Sequence, residues 1–408
     1  MSADKNLDIK TLTKTLPWRD HWMQAVYFLT KEISVNQNDS FVLYSNHDEF
    51  SFWFEVGHLN GQPTEIYSSN CNCTFHFVLS RSRIGGINDN VRRNLYYNTL
   101  QSVIKKDTVC IILGSISLLG HLCAKLGARK VYILNNDLFV DKFYQMISVQ
   151  NNLVDKISVT SSESKLVNCI SKDLNDGERF DILILSEPYY RNSILPWDNM
   201  EFWYTKENII NLLRDSKQVK SINTIPIKFK LKGCAVQFDN LWKIAAPLNK
   251  CEGFSMTEFD RLIAFSKKKA ISYVEAQPLW EYPGIALSHP ITFFEYNLNY
   301  DVVKEKVKNM GKIQIEYGGR CDGIALWMEY DLTESNSLSF GPTQRICPGQ
   351  YVEWDMFERQ GVHLFTSQSV VKENDCINYD AEFDPDEAEV NFNFDFNFKG
   401  SLNFIFNN

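Results

Sequence analysis

Apolar runs alternate with helix-length amphipathic segments between Thr108 and Pro188, and the rest of the chain is arranged around that stretch. The runs are TVCIIL from Thr108, KVYIL from Lys130, KISVTS from Lys156 and FDILIL from Phe180. Strands alternating with helices predict a parallel sheet covered on both faces, so the fold class is Rossmann-like α/β. The first strand runs into a turn at Gly114 and a helix that ends at Gly127. The second ends in Asn135, Asn136 and Asp137, and the fourth in Ser186, Glu187 and Pro188. Open α/β sheets bind ligands at the carboxyl ends of their strands, so Gly114, Asn135 and Glu187 mark the candidate site.

Beyond this unit the period changes. Ile227–Leu231, Gly233–Phe238 and Ile313–Tyr317 alternate in the manner of strands. They predict an all-β, barrel-like domain over residues 226–408, interrupted by a helix-like stretch at about 245–275. Val390–Phe398 alternates polar and aromatic residues after the acidic turn of Asp384, Asp386, Glu387 and Glu389. That pattern gives a last strand with one apolar face; a low-complexity tail is the other reading. Upstream, residues 1–15 are polar and aperiodic. Phe41–Tyr44 and Phe50–Phe54 read as strands joined by Asn46–Glu49, a partial β-barrel fragment within residues 16–70. A weak internal repeat aligns His21–Leu29 with Phe357–Phe365 through Gln24/Gln360 and Val26/Val362. Residues 71–107 form a junction that includes a helix at about 88–104, with Asn88 as N-cap and Val91, Leu95 and Leu100 as its apolar stripe.

A chain of 408 residues accommodates one to three domains, and 44% hydrophobic and 13% aromatic content suffice for packed cores. The net charge of −8 argues against a nucleic-acid surface and suits a basic protein partner. No apolar run approaches ~18 residues and no signal peptide is legible, so a soluble protein of the cytoplasm or nucleus is expected. The ten scattered cysteines suit a reducing compartment.

The candidate site has the architecture of a nucleotide pocket without much of its chemistry. A cofactor turn needs glycines for close backbone approach and an acid after the second strand for ribose hydroxyls. Here the turn Ile111–Ser117 holds one glycine, and Asn135 is an amide. Separately, Cys71, Cys73 and His76 form a C-x-C-x2-H cluster. Zinc takes four N/S ligands and three are local, so the cluster reads either as a metal site completed from elsewhere or as a strand with two incidental thiols.

Several segments resemble the protein arginine methyltransferases, in particular the second half of the tandem-module, monomethylating (type III) branch: LGARKVYIL (126–134), LSEPYYRNSILPWDNMEFWY (185–204), FDNLWKI (238–244), KCEGF (250–254), PLWEYP (278–283) and ALWMEYDLT (325–333). LPWRDHWMQAVYFL (16–29) is similar to the end of that branch's first barrel. The resemblance implies a class I methyltransferase domain using S-adenosylmethionine, and arginine-rich basic substrates such as histone tails. It implies a first methyltransferase module as partner, with direct nucleic-acid and membrane contacts absent. It also implies a zinc at the junction, a helix folding over the cofactor near 88–104, and a dimerisation arm at about 245–275. Asp20-His21-Trp22, followed by a strand at Gln24–Phe28, matches the family's Thr-His-Trp substrate loop; an aromatic strand start with a capped histidine is the alternative. The equivalent loop in the second half, Met356-Phe357-Glu358, has no histidine.

The departures from the family's pattern are as informative. Aligned without gaps through LGARKV, the acid of the first turn falls on Ile111 and its three glycines on Leu113, Ser115 and Ser117. The acid after the second strand falls on Asn135, which forfeits a charge-assisted bond of about 1.5–3 kcal/mol. Of the paired glutamates after the fourth strand, Glu187 is present and the second falls on Pro196. Side chains at Leu113 and Ser115 are expected to obstruct the turn. The expectation is a family member whose second half binds the cofactor weakly or not at all and supports an active first module. The alternative is a catalytically silent scaffold or protein-binding module.

Overall fold

The computed structural model describes residues 26–29, 32–49, 51–57, 75, 79–114, 116–173, 179–188, 195–198, 200–214, 216–245, 247–269, 274–300, 302–387 and 389–397. The chain divides into two compact units, Met1–Thr74 and Phe75–Asn408. In the first, β1 (Val42–His47) and β2 (Phe52–Gly57) pair as an antiparallel hairpin. Its turn is tied by the Asp48 carboxylate, which accepts the Ser51 N–H at 2.6 Å. The strand expected over Gln24–Phe28 is not seen at 26–29, which are irregular. Tyr27 there packs edge-on against Phe54 at 5.1 Å, a side-chain contact without a ladder.

The second unit opens with two helices, Arg81–Asn88 and Asn90–Val103. The cap of the second is Asp89, one residue beyond the expected Asn88; its carboxylate accepts the N–H groups of Val91 and Arg92. Val91 points to solvent, while Arg92, Tyr96, Thr99 and Leu100 form the buried face and Leu95 packs beside it against the core.

Five strands follow: β3 (Thr108–Leu113), β4 (Lys130–Leu134), β5 (Ile157–Thr160), β6 (Phe180–Ser186) and β7 (Val219–Ile225). They form one parallel sheet in the order β5-β4-β3-β6-β7. All of β3 is buried, and its residues alternate between two cores. Val109, Ile111 and Leu113 join Leu166, Ile170, Ile209 and Leu213 of helices Glu163–Asp173 and Glu201–Leu213. Cys110 and Ile112 join Tyr96, Leu100, Leu119, Cys123 and Tyr144 on the other face. A strand covered on both faces therefore reads as an unbroken apolar run.

From Lys228 onward the strands are antiparallel. β8 (Lys228–Phe238) is one strand where two alternating segments had been legible. It pairs with β12 (Gly284–Ala286), β13 (Ile291–Asn297) and β15 (Gly319–Asp331). β17 (Gln360–Val371) joins β15 to β11 (Val274–Gln277). A separate sheet of β14 (Val307–Gln314), β18 (Cys376–Asp384) and β19 (Glu389–Asn397) contains the alternating C-terminal stretch as a paired strand. The stretch at about 245–275 is a small hairpin, Lys250–Cys251 with Phe254–Ser255, followed by the helix Thr257–Lys269. Phe259, Leu262 and Phe265 line its exposed face. The parallel and antiparallel parts share one core, in which Trp203 packs edge-on against Phe229 at 5.4 Å.

Among the described residues no helix is long and apolar enough to cross a membrane.

Candidate functional site

The strand order reverses at β3, so the crevice at the carboxyl ends of β3 and β6 is where such a sheet presents a ligand site. The turn after β3 has Gly114 at φ 97° and Ile116 at φ 49°. Left-handed backbone is ordinary for glycine and rare for a β-branched residue, and the Ile116 side chain is buried in the core. The Ser117 N–H donates to the Tyr144 hydroxyl at 3.0 Å, and the Ser117 hydroxyl accepts the Leu119 N–H. Burial pushes the Tyr144 phenol up to about 12. His121 stacks on the Tyr144 ring, with Nε2 3.1 Å from Ser148 Oγ. Burial lowers the His121 pKa, so the imidazole is neutral at pH 7.

At the end of β4, Asn135 is buried. Its amide donates to the Asp137 carbonyl and to Asp141 Oδ1, each at 2.7 Å. Asp137 in turn caps the helix Leu138–Gln150 by accepting the Phe139 and Val140 N–H groups. The polar Asn135–Asp137 run is thus engaged in starting the next helix.

At the end of β6, Glu187 is held by two buried guanidiniums. Arg83 Nη2 lies 3.3 Å from Oε2, and Arg92 Nη1 contacts Oε1. The Arg92 Nε donates to the Gly86 carbonyl at 3.0 Å, which ties the two helices together. Tyr96 donates to the Ser186 carbonyl at 3.2 Å, while the buried Ser186 hydroxyl has no partner among the described residues. The loop before β17 supplies two more acids. The Asp355 carboxylate accepts the Phe357 and Glu358 N–H groups, and burial raises its pKa to about 6. Burial, reinforced by Asp355 and opposed by Arg83, raises Glu358 to about 8.

No family model matches the chain. Curated relatives do, over almost its whole length. It is 34% identical over 396 residues to protein arginine N-methyltransferase 7 of Drosophila willistoni, covering 95% of this chain and 54% of that protein. It is 32% identical over 383 residues to the Danio rerio protein of the same name, covering 93% and 55%. The chain belongs to the protein arginine methyltransferase family. It spans about half the length of the curated relatives it matches. A solved Trypanosoma brucei structure, described as a PRMT1 enzyme–prozyme heterotetrameric complex with AdoHcy, superposes with a TM-score of 0.57. It covers 80% of this chain and 96% of its own at 14% identity, and so shows the shared fold.

Against the family's pattern, Gly114, Asn135 and Glu187 all stand at the carboxyl edge of the sheet, as the strand reading requires. Leu113 does not obstruct the turn, because its side chain faces the opposite core with Leu166 and Ile170. Ile116 and Tyr144 crowd the turn instead. Ser115 lies outside the described residues, as do His21, Trp22, Cys71, Cys73 and His76. Pro196 sits in a turn in which the Asp198 carboxylate accepts the Leu195 N–H at 2.7 Å. Arg83, Arg92, Tyr144 and Asp355 were missed as site residues, and Glu358 was placed only as part of the loop Met356-Phe357-Glu358 that lacks a histidine. One signal was available: Arg92 sits at helical spacing with Tyr96 and Leu100, where a buried face admits a cation only beside an anion.

Proposed function

We propose that this chain is the non-catalytic half of a tandem arginine methyltransferase, supporting methyl transfer to arginine-rich proteins by a module with an intact site. S-Adenosylmethionine supplies the methyl group in this family, and the residues here do not fit it. The observation that carries the reading is Asn135. A carboxylate accepts both hydroxyl protons of a ribose diol; Asn135 offers one carbonyl oxygen in its place, and its NH2 is held by the Asp137 carbonyl and Asp141. Two further contacts support it. The Ser117 N–H that a ligand would use is taken by Tyr144. Glu187 at the family's first-glutamate position is neutralised from within, and Pro196 at the second offers no carboxylate. The fold also occurs in an assembly described as enzyme and prozyme, which supports a division of labour between halves.

Calorimetric titration of the full chain with S-adenosylmethionine tests the reading. No saturable heat is expected at micromolar cofactor, and a micromolar site would refute the proposal. Asn135→Asp alone is not expected to create such a site, because the Asp141 carboxylate 2.7 Å from the amide would then face a second anion.

A further inference from the structure

The helix Arg81–Asn88 directs Arg83, from its first turn, at the candidate site. We propose that Arg83 is an internal guanidinium seated in the acceptor-arginine position of this half, so that the chain closes its own site from within. The inference rests on the reading above that Glu187 stands at the position of the family's first glutamate.

A carboxylate receives a guanidinium best through both oxygens at once. Glu187 cannot offer both to an incoming arginine, since Oε2 is held by Arg83 at 3.3 Å and Oε1 by Arg92. The two arginines are not equivalent. Arg92 is anchored within the helix pair through its bond to the Gly86 carbonyl and forms part of the wall. Arg83 comes from the shorter helix and reaches across to Glu187, after β6. On the loop before β17, the Glu358 carboxyl lies within electrostatic reach of Asp355 and of Arg83.

Packing seals what the charges hold. A Cβ on Gly85 would lie 2.9 Å from the Phe357 ring, so the helix backbone rests directly on the loop that carries Glu358. The start of the helix is fixed by Ser80, whose hydroxyl accepts the Arg83 N–H at 3.1 Å.

The test uses the full chain without cofactor and a short arginine-rich peptide, read by calorimetry. The unaltered protein is expected to give no saturable binding. Arg83→Met, which keeps the apolar stem and removes the fork, is expected to bind at least about tenfold more tightly. Adding Glu187→Gln should abolish the gain. A folded Arg83→Met protein that binds no better than the parent overturns the proposal, as does a gain that persists with Glu187→Gln. Where Arg83→Met fails to fold, amide hydrogen exchange of the unaltered protein decides. Protection of 81–88 equal to that of 90–103 supports the plug, and exchange at the rate of an exposed loop overturns it. S-Adenosylmethionine binding by the chain would refute the non-catalytic reading yet leave these outcomes unchanged, so the two failures are distinguishable.

Discussion

Replacing Glu187 separates a structural carboxylate from a catalytic one. Its side chain is 3% exposed and both arginines against it are 6% exposed. Glu187→Gln keeps the shape but leaves two buried guanidiniums facing an amide. Removing one partner of a buried ion pair costs about 3–5 kcal/mol, because the remaining charge is stranded without water. Taking about 2 °C per kcal/mol for a large domain, the melting temperature should fall by roughly 6–10 °C. Differential scanning calorimetry reads this directly. The triple change Arg83→Met, Arg92→Leu, Glu187→Leu should recover most of the loss, since well-packed apolar replacements of buried ion clusters are often neutral. A carboxylate held ready for a substrate behaves in the opposite way, and its removal is commonly neutral or stabilising. A Glu187→Gln protein melting within about 1 °C of the parent would refute the clamp.

The acids beside the clamp give a pH dependence. The carboxyls of Asp355 and Glu358 are raised to about 6 and about 8. The folded chain therefore holds protons that the unfolded chain has released, and stability should fall as pH rises from about 5 to about 8. Glu358→Gln should flatten that slope in melting curves at several pH values, and an unchanged slope would contradict the burial argument. Cys71, Cys73 and His76 are expected to hold zinc with a fourth ligand from elsewhere in the chain; clearly substoichiometric zinc in the purified protein would remove this expectation. This chain alone should not methylate an arginine-rich peptide, and a complete first module should restore transfer. In that longer protein His21→Ala should lower transfer while Glu187→Gln, assayed well below its own melting temperature, should not. The reverse pattern would move the live site to this half.

Much of the architecture was legible because burial writes a one-dimensional period. β3, β4 and β6 are covered on two faces and read as apolar runs; β19 packs one face and alternates. The chemistry of the parallel sheet was partly legible for the same reason, since Gly114, Asn135 and Glu187 sit where strands end. What those residues do was not. Asn135 read as a weakened ribose ligand until its amide was seen bonded to Asp141, one helical turn into the next element. Leu113 read as an obstruction because sequence gives a residue's place along a strand and not the face it takes in a sheet packed on both sides. Helix phase was legible at Leu95 and Leu100, which face the core, but not at Val91, which points to solvent while Arg92 lies inside.

The clamp depended wholly on tertiary structure. Arg83 and Arg92 meet Glu187 across 104 and 95 residues of chain, and Tyr144 reaches Ser117 across 27. In the linear sequence a buried arginine looks the same as one on a solvated helix face, because the two differ only in whether a distant anion arrives to offset desolvation. Hydrophobic burial is non-directional and leaves its mark on every turn of a helix. A buried ion pair leaves one residue at each end, and only the fold brings those ends together.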